Sequence, residues 1–484
     1  MSISIYNSLS RKKEPFAPLN PPKVNIYTCG VTVYDDCHIG HARSLYIFDV
    51  IRRYLKYRGY QVNFVRNITD IDDKIINKAK EEKVGFEVIT KRYIDSYYRD
   101  IRALGIEKAD FEPRATENIP DMIKHIQGLI DKGSAYVVEG EVYFSVRSFR
   151  DYGKLSGQGI DQMLEAVRVE KDPKKKDPLD FALWKKSSED EPSWDSPWGK
   201  GRPGWHIECS VMSQKFLETQ NLDIHAGGRD LIFPHHENEI AQAEALTGKP
   251  FAKYWIHHGL LTIQGQKMAK SLGNFVTIQD FMNKYRDADL LKLFFLAAHY
   301  ASPVDYNEEK IKEARKQKDS FVFFFNEVSN WPMLEVKNKQ TLLEGDKKNK
   351  IDLICEEFNK VMDDDFNTPQ ALGCLFELLD FGSKLFASDQ EKAFKYAADK
   401  LSEMFNIFGL KIEPTKVPDQ IKQKGIERDK AKKKKDFTKA DSIRQEIKKQ
   451  GFATIDTATN LSMSAIPSWI EITDEDEDEK KKNK

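Results

Sequence analysis

Between an apolar run at 24–27 and an amphipathic run at 44–57, the chain places Cys29-Gly30 and then His38-Ile39-Gly40-His41. The first run has the length of a short buried strand. The second carries apolar residues at the three- and four-residue spacing of a helix. Strand, turn and helix in that order form the local unit of nucleotide-binding α/β proteins. This stretch therefore commits the N-terminal half to a parallel sheet covered by helices. Histidines three apart across a glycine also suit the first turn of a helix, where imidazole N–H groups and the helix N-terminus meet anionic oxygens.

Far downstream, 259–263 reads as a strand leading into Lys267-Met268-Ala269-Lys270-Ser271. That segment is flanked by Gln264-Gly265-Gln266 and Gly273-Asn274. A short polar loop of this kind can move and close two ammonium groups onto phosphate oxygens. Taken singly, the two segments read as a surface histidine pair and a solvated basic turn. Together, and in these settings, they resemble the paired ATP signatures of class I aminoacyl-tRNA synthetases. The resemblance implies a Rossmann-like fold in which Gly40, His38, His41, Lys267 and Lys270 bind ATP, accompanied by Mg2+. Gly40 would leave room for adenine. The two histidines and two lysines would also be catalytic. The implied reaction is attack of a carboxylate on the α-phosphate, which builds charge on phosphorus and on pyrophosphate. Positioning and charge stabilisation are then the protein's tasks. The usual middle serine of the lysine motif is Ala269 here. Both lysines and Ser271 remain, so a slightly looser but functional loop is expected.

Five cysteines, an odd and sparse set, argue for a reducing cytoplasm and against a disulfide framework. Cys29 stands at the end of the first strand, and Cys209 closes Gly204-Trp205-His206-Ile207-Glu208-Cys209. In Phe233-Pro234-His235-His236-Glu237-Asn238-Glu239, His235 and Glu239 share a helical face. Cys29, Cys209, His235 and Glu239 would make a mixed-donor zinc site. Spacing alone leaves another reading open: two buried thiols, a capping histidine and a surface glutamate. No CxxC knuckle is present, and the four come from three distant segments. What favours a metal is their place at the carboxyl ends of parallel strands.

Longer matches follow. They include Tyr27-Thr28-Cys29-Gly30-Val31-Thr32, Asn67-Ile68-Thr69-Asp70-Ile71-Asp72-Asp73-Lys74 and Gly201-Arg202-Pro203-Gly204-Trp205-His206. Others are His225-Ala226-Gly227-Gly228-Arg229-Asp230 and Asp363-Asp364-Asp365-Phe366-Asn367-Thr368-Pro369. With these the chain resembles bacterial-type cysteinyl-tRNA synthetases over almost its whole length. The resemblance implies activation of L-cysteine by ATP and transfer to the 3′ end of tRNA(Cys). It implies one Zn2+ on Cys29, Cys209, His235 and Glu239, holding the substrate thiolate. Trp205 would pack on the substrate, Thr69 would line the pocket and Asp230 would take the ammonium. His206, His225 and His236 would either contact ribose and phosphates or support the ligands. Zinc favours thiolate over hydroxyl as a ligand. An apolar pocket gives only about 1–3 kcal/mol for a methylene-sized difference, so metal selection makes an editing domain unnecessary. The alternatives are a cysteine-activating ligase using a small amine acceptor and a zinc-dependent tRNA-binding module without catalysis.

A chain of 484 residues exceeds one domain. The expected organisation is a catalytic domain over 1–300 with an insertion at about 115–200 that helps hold the tRNA acceptor end. A helical bundle follows at 301–412, meeting the tRNA stem. A small anticodon-binding domain covers 419–472, where Asp436 or Asp441 could read a base and Trp469 could stack. A disordered charged tail is expected at 473–484. The 76 basic and 77 acidic residues exclude a generic polyanion binder. Binding to tRNA would use local lysine patches at 171–176 and 430–435 and weaken with salt. No apolar run reaches membrane-spanning length. The family suggests a monomer.

Overall fold

The computed structural model describes residues 2–160, 162–163, 173–268, 272–329, 345–388, 390–456 and 461–465. The chain divides into two compact units. One comprises Met1–Ala288, His299–Tyr306 and Asp363–Phe366. The other comprises Asp289–Ala298, Asn307–Met362 and Asn367–Lys484.

The first unit is built on four parallel strands. These are β1 (Lys23–Thr32), β2 (Gln61–Thr69), β3 (Leu222–Gly228) and β4 (Ala252–His258), in spatial order β4-β3-β1-β2. All seven residues of β3 are buried, as a central strand covered on both faces must be. Its register sets His225 beside Tyr27 on one side and Trp255 on the other. Three helices matter for the site: α1 (Ile39–Tyr57), α2 (Trp205–Phe216) and α3 (Glu237–Thr247). Helix α1 begins five residues before the expected 44, because His38 caps it.

Between β2 and α2 the chain forms a separate antiparallel sheet of Ala135–Val138, Glu141–Phe144, Phe181–Lys186 and Gly201–Pro203. After β4, Leu261–Ile263 pairs in parallel with Val304–Tyr306 and antiparallel with Gln266–Lys267.

The second unit is mainly helical, with Glu308–Ser329, Thr368–Ala387, Glu391–Phe408, Asp419–Lys433 and Phe437–Lys449 among its elements. Asn367 caps Thr368–Ala387, accepting from Gln370 N at 3.3 Å. Pro369 sits in the first turn, where its missing N–H costs nothing. The 321–325 aromatic run is only partly core. Phe321 and Phe324 are buried, while Phe323 and Phe325 are half-buried, as a 3.6-residue period requires. Asp436 accepts from Lys439 N at 3.1 Å and so starts a helix. Asp441 is exposed. Trp469, the 473–484 tail and Lys171 lie outside the described residues. Among the described residues, no helix is long and apolar enough to cross a membrane.

Candidate active site

Cys29 lies near the end of β1, Cys209 in the second turn of α2 and Glu239 in the first turn of α3. His235 occupies the bent turn just before α3. The topology brings these elements to one end of the sheet, and the four ligand atoms all lie within 4.8 Å of one another. Cys209 Sγ is 3.7 Å from Cys29 Sγ and 3.7 Å from His235 Nε2. Glu239 Oε1 is 3.4 Å from Cys29 Sγ and 2.8 Å from His235 Nε2. Two sulfurs, an imidazole nitrogen and a carboxylate oxygen, largely shut off from water, suit a borderline-soft divalent ion such as zinc.

The atoms facing away from this centre are tied down in turn. His235 Nδ1 meets His206 Nδ1 at 2.8 Å, and Glu239 Oε2 meets His225 Nε2 at 2.5 Å. His236 lies 3.3 Å from Cys29 Sγ through Nε2 and 2.8 Å from His257 Nε2 through Nδ1. His257 Nδ1 then reaches Ser8 Oγ at 2.8 Å. Outer partners of this kind fix the orientation of metal-binding groups. Cys29, His225, His236 and Glu239 also converge, but that set shares two members with the first.

Electrostatics divide the two thiols. Burial pushes Cys29 up. Burial would do the same to Cys209, but the hydrogen bond it shares with Cys29 and the neighbouring His235 bring it down to about 6. His235 rises to about 10 against its burial, because Glu239 faces it.

Trp205, the first residue of α2, stacks on His235 with ring centroids 4.0 Å apart and planes 24° apart. It remains 39% exposed, so one face is open to a bound molecule. Thr69 is buried and donates to Glu208 Oε2 at 2.7 Å. Asp230 lies on an exposed turn directly after β3. Two contributors escaped the sequence reading. Asn67 Oδ1 accepts from Gly30 N at 2.8 Å and from Cys209 Sγ at 3.8 Å, joining β1, β2 and α2. Glu208 is buried, with burial and the adjacent Cys209 pushing its carboxyl well up. The motif at 67–74 begins with Asn67, but nothing in a strand pattern singles out an inward-facing amide.

At the start of α1, His38 Nδ1 accepts from Gly40 N at 3.1 Å and from His41 N at 3.3 Å. His41 Nδ1 returns the bond from His38 N at 3.2 Å. The rings stack, 3.7 Å between centroids. These contacts change two expectations. The first helical amides are already satisfied by His38, which leaves only the rings to offer donors outward. With each Nδ1 accepting, each neutral ring carries its proton on Nε2, a donor free of the cap. Gly40 serves first to admit His38's own ring, since a Cβ there would sit 2.9 Å from it. Burial lowers His38 to about 4, and burial with the neighbouring His38 lowers His41 to about 3, so both are neutral near pH 7.

Lys267 is exposed at the end of its short strand, its carbonyl bonded by Asn274 Nδ2 at 3.2 Å. Ala269, Lys270 and Ser271 lie outside the described residues. The segment after the lysine motif is stitched to the histidine turn. Ile39 N donates to Val276 O at 3.1 Å and Ile278 N to Cys37 O at 2.8 Å. Phe275 packs edge-on against His38 at 5.2 Å.

Residues 15–316 match the family of class I (C) tRNA synthetase catalytic domains, and 357–413 match the DALR domain. The cysteine–tRNA ligase of Thermodesulfovibrio yellowstonii is 49% identical over 472 residues, covering 93% of this chain and 96% of the relative. That of Aquifex aeolicus is 48% identical over 485 residues, covering 94% and 98%. Among solved structures, Mycobacterium tuberculosis methionyl-tRNA synthetase with methionyl-adenylate superposes with a TM-score of 0.58 at 15% identity. It covers 80% of this chain and 90% of that one. The Agrobacterium radiobacter LeuRS–tRNA–LeuAMS complex gives a TM-score of 0.59 at 11% identity, covering 81% and 84%. At such identities these two speak for the fold.

Proposed function

This chain belongs to the cysteine–tRNA ligase family of class I aminoacyl-tRNA synthetases, and on that premise we infer how its residues divide the work. The activity is ligation of L-cysteine to tRNA(Cys) in two steps. A carboxylate oxygen of cysteine bonds to the α-phosphorus of ATP while the bond to the β-phosphate oxygen breaks and pyrophosphate leaves. A terminal ribose hydroxyl of the tRNA then takes the acyl group, and AMP leaves.

The observation that carries the reading is the convergence of Cys29, Cys209, His235 and Glu239 on one centre. When bound there, zinc supplies a soft acceptor for the substrate sulfur and favours thiolate over a serine hydroxyl. Trp205 covers the amino acid with its free face, and Thr69 fixes the pocket wall through Glu208. Asp230 accepts the ammonium, since a partly desolvated cation needs a charged acceptor. His38 and His41 offer neutral Nε2–H donors to phosphate oxygens. Lys267, and Lys270 beside it in the sequence, add positive charge as pyrophosphate departs. Mg2+ accompanies the nucleotide. The two C-terminal helices, with exposed lysines at 430 and 432–435, favour tRNA over a small amine acceptor. The enzyme works as a cytoplasmic monomer.

The test is ATP–pyrophosphate exchange with each of the twenty amino acids, alongside metal analysis of Cys209→Ser. Exchange with cysteine and not serine is expected, with zinc content lost in the variant. Exchange driven by another amino acid would sink the substrate assignment. Unchanged zinc would remove Cys209 from the metal set.

A further inference from the structure

Arg43 lies on α1, two residues beyond His41, and is 1% exposed. Its four partners are all backbone carbonyls. Nη1 donates to Gly259 O and Leu260 O, each at 2.8 Å. Nη2 donates to Tyr300 O at 3.2 Å and Ser302 O at 2.5 Å. These carbonyls belong to two segments distant in sequence. Gly259 and Leu260 lead into Leu261–Ile263, and Tyr300 and Ser302 lead into Val304–Tyr306. The two strands run in parallel with Leu261 opposite Val304, and Thr262 pairs on its other side with Lys267. The roots of the strands approach closely. Gly259 N donates to Tyr300 O at 2.9 Å and Val304 N to Leu260 O at 3.0 Å. Any side chain at Gly259 would run into the Ser302 carbonyl.

One buried cation therefore gathers the roots of the small sheet that carries Lys267. It does so from the same helix that presents His38 and His41. We propose that Arg43 is a positioning residue for cysteine activation, holding the Lys267 strand in register with the His38–His41 turn. The proposal rests on the reading of Lys267 and the two histidines as ATP contacts. The planar guanidinium fork matches the arrangement. It reaches four acceptors with a pair on each terminal nitrogen, whereas a lysine ammonium has three donors on one atom. A space-filling role would be met by an aliphatic side chain without burying a charge against dipoles alone.

A double-mutant cycle in the full-length enzyme tests this, using ATP–pyrophosphate exchange with cysteine. Arg43→Lys is expected to lower kcat on the order of 100-fold, the scale of a misplaced catalytic group, with KM for cysteine unchanged. In a Lys267→Ala background the same change should cost little more. If Lys267→Ala alone has no effect, the ATP reading of Lys267 fails. If Lys267→Ala is impaired but Arg43→Lys costs as much with it as without it, the two do not act together and the Arg43 proposal is overturned. Should Arg43→Lys not fold, Arg43→Gln runs the same cycle, and additivity there overturns the proposal equally.

Discussion

His38 caps α1 with one ring nitrogen and, on the proposed reading, offers the other to phosphate, and the two roles can be separated. Nδ1 caps α1, while Nε2–H is free to donate outward. His38→Asn keeps a good capping acceptor and removes the outward donor. Stability in urea is therefore expected within about 0.5 kcal/mol of the parent. The exchange rate should fall on the order of 100- to 1,000-fold, the usual loss for one preorganised donor. Equal losses of stability and rate would show that the ring only caps. The lowered pKa values give a second expectation. Below the unfolded-chain value of about 6.5, unfolded histidines take up protons. Folded His38 and His41 do so only near 4 and 3. The unfolded state then binds more protons, so stability falls as pH drops from 6.5 towards 3. Chemical melts across that window should show a shallower decline in His38→Asn.

Helix α3 owes the placement of its first turn to a loop far away in sequence. Glu237 is fully buried and accepts from Gly153 N at 2.9 Å, Ser156 N at 2.8 Å and Leu155 N at 3.5 Å. Next to it, Asn238 accepts from the Tyr152 hydroxyl at 2.5 Å. These four bonds hold the turn from which Glu239 projects. Glu237→Ala would strand these buried amides, at roughly 1–3 kcal/mol each. A drop in the urea midpoint with a near-constant slope is expected. An unchanged midpoint would show that water replaces the carboxylate at no cost. The sequence did place a helix opening here, with His235 and Glu239 on one face. The loop that anchors α3 was not, because a carboxylate gathering backbone N–H groups has no spacing signature.

For the whole molecule, balanced charge makes tRNA affinity depend on local lysines. Affinity should fall linearly on a log–log plot against salt. Replacing Lys432, Lys433 and Lys434 together should reduce that slope by about two to three, at just under one per phosphate contact. An unchanged slope would show that these exposed lysines are a solvated face and nothing more. The sequence by itself determined the α/β class, the helical C-terminal region and the identity of the four convergent donors. It could do so because strand and helix periods and long motifs are local properties. Only the tertiary structure decided that Cys29, Cys209, His235 and Glu239 meet within one small volume. It likewise decided that Arg43 on α1 bonds to the carbonyls of Gly259, Leu260, Tyr300 and Ser302, and that the His38 ring turns back onto the first amides of its own helix. The meeting of the four donors and the bonds of Arg43 depend on strand order and on contacts between residues far apart in the sequence, and the His38 cap depends on a ring orientation that no spacing prescribes. The histidine turn that pointed to the fold is tied through Ile39 and Cys37 to the segment that follows the lysine motif, a contact that only the folded chain could bring about.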